Sequence, residues 1–236
     1  SASETYPLTI SNYTGLNATN TLKIYPSSDA TGLSISGSHA TALIDISNAD
    51  YVTIDGRPGG TGSAKELTIS NTNTSGTTVR FINDATYNTL KYLTIQGVAT
   101  SATVGVVLFS TTSGTTGNDY NTIDNCDIKD GSSTPTTGIY ALGTASKVND
   151  NITISNCNVY NFFINTASTV GTGILVSSNN TDWTIQGNSF YQTTERTFSA
   201  ASTGFIGISI YNTSGNNFNI SSNYIGGRAA SAGGSA

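Results

Sequence analysis

Hydrophobic and polar positions alternate along this chain in short runs, and the runs come back at nearly constant spacing. A six-residue unit recurs, with an aliphatic residue, two turn-type positions, a fourth position whose residue type changes slowly, a spacer and a second aliphatic. It reads LKYLTI at Leu90, IDNCDI at Ile123, ISNCNV at Ile154, IQGNSF at Ile185 and ISSNYI at Ile220, separated by 33, 31, 31 and 35 positions. A second run follows each unit in the same phase, opening at Val79, Val106, Ile139, Ile174 and Ile208. Four of these five are preceded by glycine, at Gly105, Gly138, Gly173 and Gly207. Periods of 20 to 50 residues mark a solenoid or a related array, in which each repeat buries its apolar face only against its neighbours.

What fills each repeat selects the kind of solenoid. No segment has the 3, 4, 7 apolar spacing of a helix, whereas β-branched stretches such as TIDN and NITI alternate with Asn, Gly, Ser, Thr and Asp. The pattern predicts an all-β parallel β-helix of about six to seven coils, with equivalent residues of successive coils stacked about 4.8 Å apart. Upstream, Leu22 and Ile54 fall in phase with Leu90, and Ile10 and Ile44 with Val79, so residues 1–236 form a single domain. The chain has no initiator Met and opens almost directly on LTI, and it is expected to be a fragment of a longer protein.

Stacked coils turn the sequence into columns. The fourth position runs Leu67, Leu93, Cys126, Cys157, Asn188, Asn223. An in-register Asn bonds to the coils on either side and satisfies the sharp turn it occupies, so this column is expected to be a structural ladder. Cys126 and Cys157 are the only cysteines and lie one coil apart. Their Cα spacing falls inside the disulfide range, but parallel Cβ vectors favour stacked, buried free thiols. A zinc site is not expected, since CxxC spacing is absent.

If Val79, Val106, Ile139 and Ile174 point inward, the next residue of each run points out. That reading places Val107, Phe109, Tyr140, Leu142 and Leu175 side by side as an exposed apolar face, either a recognition surface or the seat of a covering segment. A turn column of Asp50, Asp119 and Asp150, followed by Tyr51, Tyr87 and Tyr120, offers oxygens that calcium could use. Asp is also an ordinary turn residue, and Thr86 interrupts the file, so a turn role is expected and no metal.

Composition narrows the function. Only 10% of residues are charged and the net charge is −5, with no basic stripe for phosphates, so nucleic acid is a poor partner. No apolar run is long enough to span a membrane, and with no basic n-region followed by an apolar stretch no signal peptide is expected in this sequence. The only histidine, His39, lies in the first third, no strand column holds two adjacent carboxylates, and the cluster Asp124, Asp127, Lys129 and Asp130 reads as a solvated edge. Paired carboxylates are what glycoside hydrolysis needs, so no catalytic residue and no cofactor is expected.

The coil pattern resembles the right-handed parallel β-helix family that includes pectate lyases and polygalacturonases. The stretches DYVTIDGRPGGTGSAKELTISNTNTSG (residues 50–76) and RFINDATYNTLKYLTIQGV (residues 80–98) resemble the β-helical region of large cell-surface proteins exported by bacterial type IX secretion. The resemblance implies a secreted, extracellular location, contact with the secretion machinery during export, and glycans or other surface proteins as partners. The expected function is a non-catalytic rigid stalk or adhesin. The alternative is a polysaccharide lyase or glycoside hydrolase whose catalytic residues lie outside this segment.

Overall fold

The computed structural model describes residues 4–166, 169–199 and 204–234. Three seven-stranded parallel sheets run the length of the molecule. The first contains Leu8–Ile10, Ala42–Ser47, Thr77–Ile82, Gly105–Phe109, Thr137–Ala141, Val170–Val176 and Gly204–Ile210. The second contains Leu22–Ile24, Val52–Asp55, Thr89–Lys91, Thr122–Asp124, Thr153–Ser155, Thr184–Gln186 and Asn219–Ser221. The third contains Leu33–Gly37, Leu67–Asn71, Leu93–Gly97, Asp127–Asp130, Asn158–Tyr160, Ser189–Tyr191 and Tyr224–Ile225. The chain visits the sheets in the same order each time and completes about six turns, which makes it a parallel β-solenoid. Among the described residues no helix is long and apolar enough to cross a membrane.

Inward columns of β-branched residues build one continuous core. In the second sheet Ile54, Leu90, Ile123, Ile154, Ile185 and Ile220 are in register. In the first sheet the file is Leu8, Ile44, Val79, Val107, Ile139, Ile174 and Ile208. Two upstream expectations are therefore out of phase by two residues, since Leu8 rather than Ile10 pairs with Ile44, and Leu22 pairs with Val52 while Ile24 meets Ile54. Each large aliphatic fully removed from water contributes roughly 1.5–3 kcal/mol, so this file is the main source of stability. The last layer is less covered, and Ile220 and Ile225 are about half exposed.

Glycine before the first-sheet runs is a packing requirement. A Cβ on Gly173 would lie 2.5 Å from Phe190 Cδ1, and one on Gly138 would lie 2.6 Å from Val159 Cγ1. These two glycines give the third-sheet core side chains their space.

The corners repeat as faithfully as the strands. Tyr51, Tyr87, Tyr120, Asn151, Asp182 and Asn217 all have left-handed φ of 52–57° between the first and second sheets. Asparagine tolerates that region, whereas a bulky ring seldom occupies it. Between the second and third sheets the ladder column is realised in full. Asn223 Oδ1 accepts from the backbone N–H of Asn188, Asn188 Oδ1 accepts from that of Cys157, and Cys157 Sγ accepts from that of Cys126. Asn188 and Asn223 also donate Nδ2 to the carbonyls of Ile154 and Ile185. Cys157 Sγ stands in the equivalent place, 3.6 Å from the carbonyl of Ile123. The thiol thus fills an asparagine slot, and both cysteines are free and buried.

This equivalence has a measurable consequence. Cys157→Ser is expected to lower stability by about 1–3 kcal/mol, because a buried hydroxyl replaces an apolar-like thiol in a slot shaped for a longer reach. Cys157→Asn restores the ladder pattern and is expected to cost less than the serine variant. Urea unfolding of the two variants checks the order.

Candidate functional site

The structure brings together only part of the expected recognition face. Tyr140 pairs with Leu108 on one side and Leu175 on the other, so Tyr140 and Leu175 do lie on the outer side of the first sheet, while Leu142 falls just past the strand end, its N–H donating to the Phe109 carbonyl. Val107 and Phe109 do not, being fully buried in the core. The outward residue of that layer is Leu108, which pairs with Arg80 and Tyr140. The error is a one-residue register slip, and a slip of one sends every side chain of a strand to the opposite face. Its origin is the unbroken apolar run Val106 to Phe109, which carries no alternation, together with Gly105. That glycine pairs with Thr137 and not with Gly138, and it is small for its own reason, since a Cβ there would meet Val107 O at 2.4 Å. Tyr140 is itself only 6% exposed, so its ring offers little surface to a partner.

Two aspartates of the turn column bond to the next coil. Asp50 Oδ1 accepts from the backbone N–H of Thr86 at 3.1 Å, and Asp119 Oδ1 accepts from that of Asp150 at 3.0 Å. Tyr51, Tyr87 and Tyr120 stack beside them with ring centroids 4.9 and 4.6 Å apart. Among the described residues no three His, Cys, Asp or Glu side chains are grouped so as to hold a metal ion. His39 Nδ1 accepts from the backbone N–H groups of Thr41 and Ala42, both at 3.3 Å, and so closes a turn.

Asp119 is nevertheless unusual. Burial, reinforced by the nearby Asp150 and Asp84 carboxylates, pushes its pKa up to about 6. The folded protein therefore holds this proton more tightly than the unfolded chain. The favourable contribution is complete below about pH 4 and is lost as pH rises through 6. Asp119→Asn keeps the acceptor for Asp150 and removes the charge. It is expected to stabilise by on the order of 1–3 kcal/mol at pH 8 and to have little effect at pH 3.5. Thermal unfolding of both proteins across that range checks it.

Other carboxylates link neighbouring layers. Arg80 grips Asp45 at 2.7 Å through both Nε and Nη2. Asp55 takes Arg57 at 2.7 Å and Lys91 at 3.4 Å, and Asp127 takes Lys65 at 2.6 Å. Asp124 accepts from Ser155 Oγ at 2.7 Å and Asn156 Nδ2 at 2.9 Å, and these bonds hold its pKa below the usual carboxylate range despite partial burial. Asp84 accepts from the side chain of Thr112 and from the backbone N–H groups of Thr115, Thr116 and Gly117, so one carboxylate organises a whole loop. In the cluster Asp124, Asp127, Lys129 and Asp130 the three carboxylates each bond to the next coil, and Lys129 pairs with the adjacent Asp130 at 3.1 Å.

A concavity lies elsewhere, where loops leave the third sheet in the last layers. A cleft of about 550 Å³ is lined by Phe163, Tyr191, Gln192, Thr194, Glu195, Arg196, Phe198, Phe205 and residues 226–228. Its loop is fastened to the layer below: Thr193 donates N–H and Oγ1 to Asn161 Oδ1, and Ser199 donates N–H to Asn165 Oδ1 at 2.7 Å. Gln192 is used at both ends of its amide, with Nε2 donating to Phe162 O and Oε1 accepting from Arg196 Nε, each at 2.9 Å. Phe205 stacks on Phe162 at 4.7 Å and Phe198 tilts against Phe163 at 5.2 Å, while Arg196 lies 5.5 Å from the Phe163 ring centre. Tyr191 stacks on Tyr160, and burial raises its pKa to about 12, so it stays neutral. The sequence reading missed these residues, although the one phenylalanine-rich loop (NFFIN, residues 161–165) and the arginine of QTTERTF were available signals.

Comparison with protein-family models, with curated proteins and with solved structures finds no match for this chain. The fold defines its class, a parallel β-solenoid, and its function is argued from the residues.

Proposed function

We propose that this chain is a non-catalytic, rigid segment of a secreted bacterial cell-surface protein, a stalk or adhesin that holds its loops out to glycans or other surface proteins. The observation that supports the reading most strongly is the use of its carboxylates. Asp45, Asp55, Asp84, Asp124 and Asp127 are each held by cations, hydroxyls or N–H groups that tie one stretch of chain to another, Asp55 through Lys91. Three of them, Asp55, Asp84 and Asp124, have pKa values below the ordinary range, which suits permanent anions in a scaffold and not proton donors. In-register stacking makes such a segment stiff, since each layer contacts only its neighbours along a single axis. Type IX export is part of the proposal and rests on the likeness of residues 50–76 and 80–98.

Beads coated with the purified chain test the adhesive role. Retention under flow on layers of glycans or of bacterial surface proteins, above that of uncoated beads, is the expected result. Retention no better than the control on either layer would sink it.

A further inference from the structure

Four arginines occur in the chain, and they divide into two pairs. Arg57 and Arg80 each bind an aspartate through two nitrogens. Arg196 and Arg228 have no carboxylate partner among the described residues, and both line the same cleft. In a chain with only 10% charged residues, two arginines that meet no carboxylate among the described residues, one of them steadied by Gln192 and the Phe163 ring, make this concave surface suited to an anion.

The rest of the cleft decides what carries that anion. Its walls are largely aromatic, from Phe163, Tyr191, Phe198 and Phe205. A pyranose ring would need several hydrogen-bonding partners for its hydroxyls, and with the Gln192 amide already used at both ends these come down to Tyr191, Thr194 and Glu195 beside the two arginines. An apolar ring needs none of these, and stacking against phenylalanine suits it. Glu195 on the same wall repels a second negative charge, so the fit is to a single carboxylate next to an aromatic group.

We propose that this cleft binds the carboxyl terminus of a peptide or protein ending in an aromatic residue, with the ring among the phenylalanines and the carboxylate on Arg196 and Arg228. Capture of a chain terminus by a fixed set of donors is a recurring mode of peptide recognition. The inference rests on the adhesin reading and gives it a ligand.

Calorimetric titration of the whole chain tests it, with the peptide Gly-Gly-Gly-Gly-Phe as the free acid, the same peptide amidated, pentaglycine, and cellobiose. The free acid is expected to bind with Kd below about 1 mM, and the amide and pentaglycine at least about tenfold more weakly. Arg228→Gln is expected to weaken the free acid by about tenfold while leaving the thermal midpoint unchanged, and Arg196→Gln, which also removes the bond to Gln192, to weaken it by at least as much. Equal binding of acid and amide, no binding of the acid, or cellobiose binding as tightly as the acid would overturn the proposal. Loss of binding with all probes intact by mass spectrometry defeats this inference alone, whereas cleavage of any probe defeats the non-catalytic reading as well.

Discussion

Phe109→Ser is expected to destabilise the protein by about 3–5 kcal/mol, the range found when a buried aromatic is truncated. Its ring stacks on Phe81 at 4.7 Å and meets the edge of Trp183 at 5.2 Å, and none of it reaches solvent. Serine would leave a cavity between two layers and a hydroxyl with no assured partner. Tyr140→Ser, one layer on and facing outward, is expected to cost less than half as much. Urea unfolding with an unchanged m-value would show that the difference lies in the native state. If the two variants lose equal stability, the register of the Gly105–Phe109 strand is wrong.

Asn188→Ala is expected to cost about 2–4 kcal/mol, because two buried backbone groups lose their partners at once. The Cys157 N–H loses Oδ1 and the Ile154 carbonyl loses Nδ2, and neither can reach water. Asn188→Cys is expected to recover part of that loss, since Cys157 already performs the corresponding task for Cys126. A cysteine variant as unstable as the alanine variant would show that the thiol does not stand in for the amide.

The ladder and the second-sheet file from Ile54 onward were legible in the sequence because nothing competes with them. Ile123, Ile154 and Ile185 are each flanked by polar residues, and a turn of fixed length follows each, so their phase has one solution. The first sheet was harder at Val106 to Phe109, where four apolar residues in a row fit either parity and a glycine gave a misleading mark. Further ladders passed unnoticed. Asn88 and Asn121 satisfy the backbone N–H groups of Val52 and Asn88, and Asn118 does the same for Ala85, yet asparagine is so common in this chain that no single one stands out. The cleft was the least legible element. Phe163, Arg196 and Arg228 come from segments that differ in length from layer to layer, and periodicity says nothing about which loops meet.

The proposed stalk or adhesin role requires a solenoid that contacts its partners and leaves them chemically unchanged. The most direct test is to incubate the purified chain with polygalacturonate and with a neutral glucan and to follow polymer molar mass by light scattering. An unchanged molar mass for both polymers is the predicted result, and a fall in either one would contradict the account.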